Sequence, residues 1–309
     1  MTKVEMTFLG TTASIPTPER NHPSIYLRYT GKEEGALLFD CGECTQRQIF
    51  RAGLNFMRID HIFITHWHAD HFAGLFGMFE TMSLEKRKHP LFIYGPEAAR
   101  FVSILSSLGY AGKNFRVVPE DVGFVGSDIK TILDEKEFSV LSVPVRHGIP
   151  AIAYAFVEKD RIRIDSDKAE KLGLPRQSPL FNKLKDEGQA KFGGKMVRLE
   201  DISSTVPGKK IVYSGDTQPC RNLLSLAENA DCLVMDCTYF EDMEERHHTN
   251  LGQAIELASH ANVKELILTH ISRRYQSQSE LEKMAHDAAR NSGIRSVKVA
   301  KDFMRAVIE

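Results

Sequence analysis

Apolar positions along the chain follow two different periods, and the switches between them mark the elements. Val4 to Leu9 alternates, while Ile25 to Tyr29 and Ala36 to Asp40 are short apolar runs parted by Thr30-Gly31-Lys32; all three read as strands. Gly10 to Asn21, punctuated by Pro16 and Pro18, reads as a loop, and Thr45 to Ala52 as a helix. The stretch His61-Ile62-Phe63-Ile64-Thr65, rich in β-branched and aromatic residues, predicts a buried strand, with a helix over Phe72 to Met82 behind it. Leu91 to Tyr94 predicts another strand, and Pro96 to Leu108 a helix ended by Gly109. Strands are expected again at Phe138 to Val145, Ala151 to Val157, Lys210 to Tyr213, Cys232 to Met235 and Leu266 to Thr269. Helices are expected at Gly252 to His260 and Gln278 to Asn291. No repeat of fixed period is found. This order favours an α/β (α+β) chain in which two sheets pack face to face with helices outside. A single doubly wound sheet fits the hairpin-rich first third poorly.

The periodicity fails over residues 158–208, where Gly173-Leu174-Pro175, Ser178-Pro179, Gly188, Gly193-Gly194 and Pro207-Gly208 interrupt a charged segment. From Glu158 to Lys210 there are 13 Lys and Arg against 9 Asp and Glu, so the rest of the chain is net acidic although the whole carries −1. That balance argues against indiscriminate coating of nucleic acid and leaves room for a local basic patch. A segment this much longer than an ordinary loop points to a functional insertion.

The 309 residues allow one large domain or two modest ones, and 42% apolar with 26% charged residues is the composition of an ordinary globular protein. No apolar run approaches the roughly 18 residues of a membrane helix, and Met1 to Met6 lacks a signal-peptide core, so a cytoplasmic protein is expected. Cys41, Cys44, Cys220, Cys232 and Cys237 form an odd, scattered set; with no second pair beside Cys41-Gly42-Glu43-Cys44, buried thiols are expected rather than a zinc knuckle.

The chemistry concentrates in His66-Trp67-His68-Ala69-Asp70-His71, directly behind the buried strand at 61–65. Open α/β sheets place their sites at such carboxyl ends. His66 and His68 can turn toward one cation, and Asp70 and His71, further on, toward a second. Imidazole with carboxylate suits zinc, with manganese or iron as the alternatives, and two ions about 3.5–4 Å apart suit displacement at a phosphodiester. One loop cannot complete two such shells. His147, Asp216 and His270 each stand where an apolar strand emerges, and a carboxylate such as Asp216 can serve both ions.

This constellation, a HxHxDH run, a lone His, then Ser214-Gly215-Asp216-Thr217 and Leu268-Thr269-His270, resembles the metallo-β-lactamase superfamily. Within it the chain resembles the ribonuclease Z family, the transfer-RNA 3′-processing endonucleases. The specific matches are Pro16-Thr17-Pro18-Glu19-Arg20-Asn21, the stretch Leu172 to Lys185, His247-His248-Thr249, and His270-Ile271-Ser272-Arg273-Arg274-Tyr275, together spanning essentially the whole chain. Ser178 departs from the family, which usually has glycine before Pro179.

The resemblance implies a four-layer αββα metallo-β-lactamase-like sandwich over 1–309, with 158–208 as an inserted flexible arm that grips tRNA. It implies two Zn2+ per chain (Mn2+ or Fe possible): His66, His68 and His147 on one, Asp70, His71 and His270 on the other, Asp216 bridging. Asp70 would also accept the proton of the attacking water, and His247 would donate to the leaving oxygen, with His248 as the alternative. The expected substrate is precursor tRNA with a 3′ trailer, cut to leave a 3′ hydroxyl, by a cytoplasmic homodimer that has no membrane association.

Overall fold

Two seven-stranded sheets organise residues 2–157 and 209–308 of the computed structural model, which describes residues 2–32, 34–108, 114–175, 178–243 and 247–308. In spatial order the first sheet comprises Arg305–Ile308, Lys3–Gly10, Ser24–Thr30, Glu34–Phe39, Ile59–Phe63, Leu91–Gly95 and Val117–Asp121, the last four running parallel. The second comprises Ser296–Val299, Glu265–Thr269, Cys232–Asp236, Lys210–Tyr213, Ile152–Glu158, Phe138–Pro144 and Lys130–Asp134, its first four parallel.

Alternation decides which side chains meet between the sheets. Val4, Met6 and Phe8 point inward from the first sheet and pack with Tyr154, Phe156, Ile211 and Val234 from the second. The opposite face of the first sheet, including Leu38, Ile62 and Ile93, is covered by the helices Thr45–Arg51, Leu75–Leu84 and Ala98–Ser107. Leu233, Met235, Leu266 and Leu268 are covered in the same way by Arg221–Ala227, Leu251–His260 and Gln278–Ala289. The result is a four-layer αββα sandwich, the architecture the resemblance implies. Strands buried on both faces read as unbroken apolar runs, as Cys232–Asp236 does.

The strands not foreseen from the pattern, Val117–Asp121, Lys130–Asp134, Ser296–Val299 and Arg305–Ile308, all lie at sheet edges, where polar and half-exposed residues blunt the signal. The expected helix at 72–82 is two pieces, Ala69–Phe72 and Leu75–Leu84. Gly74 packs onto the chain at Cys41-Gly42, where a Cβ would stand 2.1 Å from the Gly42 carbonyl oxygen. Its N–H turns to Cys41 O (2.9 Å) instead of continuing the helical ladder. Asp70 and His71 therefore sit on a helical turn rather than in a loop. Gly109, expected to end the preceding helix, lies outside the described residues. Cys41, Cys232 and Cys237 are buried, but Cys44 is exposed and Cys220 half-buried. Among the described residues no helix is long and apolar enough to cross a membrane.

Residues Glu158–Gly208 form a second compact unit. Arg161–Ile164 pairs antiparallel with Ser203–Val206, and Gln189–Phe192 forms a hairpin with Lys195–Arg198. The helices are Ser166–Lys171, Leu180–Glu187 and Leu199–Ile202. Ala169, Leu174, Leu184, Ala190, Val197 and Ile202 make a small core of their own. The glycines that hide the periodicity serve as terminators: Gly188 caps a helix at φ 76°, and Gly193 and Gly194 turn the hairpin at 55° and 81°. Ser178, at the position where glycine is usual, accepts from Leu180 N–H through its hydroxyl at 3.3 Å, at the start of the Leu180–Glu187 helix.

Candidate metal centre

Every parallel strand of the sandwich that ends near its middle delivers a polar residue to the same place. Ile59–Phe63 leads to His66 and His68, Lys210–Tyr213 to Asp216, Cys232–Asp236 ends in Asp236, and Glu265–Thr269 leads to His270. Two backbone features aim these residues. His270 sits at φ 59°, a left-handed conformation that turns its ring back across the strand end. Gly215 sits at φ 57° with Thr65 so close that a Cβ would stand 2.7 Å from that side chain, so the turn into Asp216 requires glycine.

Two sets of donor atoms result. In the first, His66 Nε2 lies 3.0 Å from His68 Nδ1, which lies 3.2 Å from His147 Nε2. Nitrogens about 2.0–2.1 Å from a tetrahedral zinc stand roughly 3.3 Å apart, so this spacing fits one ion. In the second, Asp70 Oδ2 lies 3.6 Å from His71 Nε2 and 3.5 Å from His270 Nε2. Asp216 stands between the sets: Oδ1 is 3.3 Å from His71 Nε2, and Oδ2 is 3.2 Å from His270 Nε2 and 3.7 Å from His66 Nε2. The groupings His66/His68/His147 and Asp70/His71/His270 each offer atoms close enough to share a cation. His71 Nε2, Asp216 Oδ1 and His270 Nε2 are buried and make no hydrogen bond. Buried polar atoms are nearly always paired. Three buried atoms without a hydrogen bond, set among the two donor groups, fit the coordination of metal ions.

The other nitrogen of the His66, His71, His147 and His270 rings is held by the protein, which fixes orientation and tautomer. His71 Nδ1 donates to Asp40 Oδ2 at 2.8 Å, and His147 Nδ1 to the His247 carbonyl at 2.9 Å. Thr65 Oγ1 lies 3.1 Å from His66 Nδ1, and Thr238 Oγ1 lies 2.9 Å from His270 Nδ1 while donating to Asp236. Asp40 is fully buried and also accepts from Thr65 N–H and the Tyr213 hydroxyl.

Charge follows the same geometry. Burial opposes charge on His71 and His270, yet the facing carboxylates win: Asp216, Asp40 and Asp70 raise His71 well above an ordinary histidine, and Asp216, Asp236 and Asp70 raise His270 to about 10. His66 goes the other way, lowered by burial and by neighbouring imidazoles. Burial alone would raise the Asp70 carboxyl, but His71 and His270 hold it below the usual carboxylate range.

All seven residues expected at the centre converge on it. The histidine pair at 247–248 differs from expectation. His247 is exposed; its ring lies beside Gly148 and edge-on to the His147 ring at 6.0 Å, and its carbonyl accepts from His147 Nδ1. His248 instead donates from Nδ1 to Asp236 Oδ2 at 3.0 Å, lies 3.8 Å from Asp216 Oδ2 and stacks on His270. Burial opposes its charge, but Asp236 raises its pKa. His248 stands two residues before Asn250, the cap of Leu251–His260, and its ring is held by the bond to Asp236. Asp40 and Asp236 were missed, although each ends an apolar strand just as Asp216 and His270 follow one.

Comparison with known proteins agrees with this geometry. Residues 198–271 match the family model of the beta-lactamase superfamily domain, and residues 4–103 that of the anti-Pycsar protein Apyc1. The chain is 37% identical to ribonuclease Z of Methanosarcina acetivorans over 99% of its own length and 98% of the relative's. It is 38% identical to ribonuclease Z of Thermococcus kodakarensis, covering 97% and 93% respectively. The crystal structure of human tRNase Z, short form, matches with a TM-score of 0.70 at 26% identity over 99% of both chains. YhfI of Bacillus subtilis, a metallo-beta-lactamase fold protein, shares the fold with a TM-score of 0.66 at 17% identity over 99% of this chain and all of its own. Full-length identity of this order, on a fold that gathers histidines and aspartates at its strand ends, places the chain in the ribonuclease Z family, as an enzyme of the metallo-β-lactamase fold.

Proposed function

We propose that this enzyme is a zinc-dependent endoribonuclease that removes the 3′ trailer from precursor tRNA and leaves a 3′ hydroxyl on the tRNA. The observation that carries the reading is the trio of unpaired buried atoms on His71, Asp216 and His270. The substrate class is taken from the ribonuclease Z and tRNase Z relatives.

His66, His68 and His147 would hold one ion and Asp70, His71 and His270 the other, with Asp216 shared; the same donors accept Mn2+ or Fe. Zinc, when bound, supplies Lewis-acid polarisation of the scissile phosphate and acidifies water near neutral pH. The chain's own residues do the rest. Asp70 is kept anionic by its imidazole neighbours and oriented by the Ser14 N–H at 3.0 Å, so its carboxylate is placed to accept the proton of the attacking water. His248 takes the role first expected of His247. Asp236 holds its Nδ1, favours its protonated form and leaves Nε2 to donate to the departing 3′ oxygen.

Glu158–Gly208 is read as the tRNA-gripping arm of a single 1–309 catalytic domain. Its charge suits phosphate contacts that position a folded RNA without reading its sequence. The functional particle is read as a cytoplasmic homodimer.

The test is to incubate the purified protein with a 3′-extended tRNA transcript, with and without chelator, and map both product ends. Cleavage between tRNA and trailer, a 3′ hydroxyl and loss of activity on chelation are expected. No cleavage with two equivalents of zinc present, or a 3′ phosphate on the tRNA, overturns the reading.

A further inference from the structure

One surface feature beside the metal centre has no role in the chemistry above. Residues 122–129, Val122-Gly123-Phe124-Val125-Gly126-Ser127-Asp128-Ile129, connect the two outermost strands, one from each sheet, at the end of the sandwich where the histidines gather. Its tip is apolar yet faces solvent: Val125 is 81% exposed, Phe124 37% and Ile129 42%. Exposed apolar side chains this close together at a site mark a contact surface rather than chance.

The loop is tied at its start and its middle to segments bearing the first donor set. At its start, Val122 N–H donates to Gly95 O at 2.9 Å, and the indole of Trp67, between His66 and His68, donates to Pro96 O. At its middle, Asn222 Nδ2 donates both to Gly126 O at 3.0 Å and to Pro144 O at 2.9 Å, three residues before His147. Gly126, at φ 101°, makes the bend that leaves Val125 outside. The Lys130 ammonium lies over Gly123, 3.6 Å from where a Cβ would stand, and exposed Arg221 adjoins Asn222. An aromatic and an aliphatic side chain left to solvent on a tethered loop, with the Lys130 ammonium over the neighbouring Gly123, have the character of a stacking platform for unpaired bases.

We infer that the 122–129 loop, through Phe124 with Val125, is a base-stacking platform that binds the unpaired nucleotides of the 3′ trailer. The inference rests on the precursor-tRNA reading and adds to it a reason for a single-stranded trailer to be held. Stacking one base on one ring is worth roughly a five- to 150-fold change in binding. Lys130 would contribute a sequence-independent phosphate contact.

The experiment compares two precursors, one with an ordinary three-nucleotide trailer and one whose trailer nucleotides are abasic, for the wild-type enzyme and the Phe124→Ala/Val125→Ser variant. A small chromogenic phosphodiester serves as a second substrate. The wild type is expected to cleave the ordinary trailer about tenfold or more faster in kcat/KM than the abasic one. The variant should treat the two alike, at the wild type's abasic rate, with unchanged turnover of the small diester, and Phe124→Tyr should restore discrimination. A wild type indifferent to the bases, or a variant that discriminates as well as the wild type, overturns the platform while leaving precursor cleavage standing. Equal loss on both trailers together with a smaller particle in sedimentation also overturns it, by making the loop a contact between copies. A wild type that cleaves the diester but no precursor refutes the tRNA reading itself and the platform with it.

Discussion

Asp40→Asn probes whether a residue outside the donor sets controls them. In the native protein Asp40 Oδ1 accepts from Thr65 N–H at 2.8 Å, and Oδ2 accepts from His71 Nδ1 at 2.8 Å and from the Tyr213 hydroxyl at 2.7 Å. All of these groups are buried. An asparagine of the same shape must present its amide nitrogen to one side. Turned toward His71, the amide donates, so Nδ1 must accept and the ring proton moves to Nε2, the atom that faces Asp216, which can then no longer hold an ion. Turned toward Thr65, it sets donor against donor and strands a buried N–H, at a cost of about 1–3 kcal/mol. Either way a loss of roughly 10–100-fold in metal affinity is expected, with only modest destabilisation. Competition against a chromophoric chelator measures the affinity, and thermal unfolding of the metal-free protein measures the fold. Zinc affinity within twofold of wild type, in a variant that still melts cooperatively, would show that Asp40 does not set the His71 tautomer.

Three further outcomes follow from the same geometry. His248→Ala is expected to lower kcat on precursor tRNA by about 10²–10⁴-fold, whereas His247→Ala, which keeps its carbonyl on His147, should change it less than tenfold; the reverse order in single-turnover assays restores His247. In the metal-free protein His270 stays protonated up to about pH 10 and His71 is likewise raised. Zinc needs both rings neutral, so its uptake at pH 7 should release about two protons in weakly buffered titration and tighten as pH rises. The sign for the metal-free fold is opposite. Stability from the His270 ion pairs is fully present below about 6.5, the unfolded value, and is lost as pH rises through about 10. Gly215→Ala, forced into φ 57° against Thr65, should cost about 1–3 kcal/mol in denaturant unfolding and weaken zinc binding through Asp216; unaltered values for both would show that the turn relaxes freely.

What could be read from the chain divides along a physical line. Strands buried on both faces announce themselves as apolar runs, and the residues that follow them, His66, Asp216 and His270, were found by that rule. Edge strands such as Val117–Asp121 escaped because their half-exposed, charged residues resemble loop. The 158–208 segment stood out, but the elements within it escaped because its core is six residues spread over glycine-terminated elements too short to show a period. Asp40 and Asp236 stand at strand ends equally well, but seven donors already complete two ions, so the sequence carries no separate signal for them. Yet those two carboxylates govern which nitrogen of His71 and His248 bears a proton. The choice between His247 and His248 shows the same limit from the other side. Adjacent residues ahead of the Leu251–His260 helix point in different directions, and only the closed fold brings Asp236 within 3.0 Å of the His248 ring. Ligand identity is therefore written in strand ends, whereas proton placement depends on contacts between strands up to about two hundred residues apart, and these appear only when the two sheets close on each other.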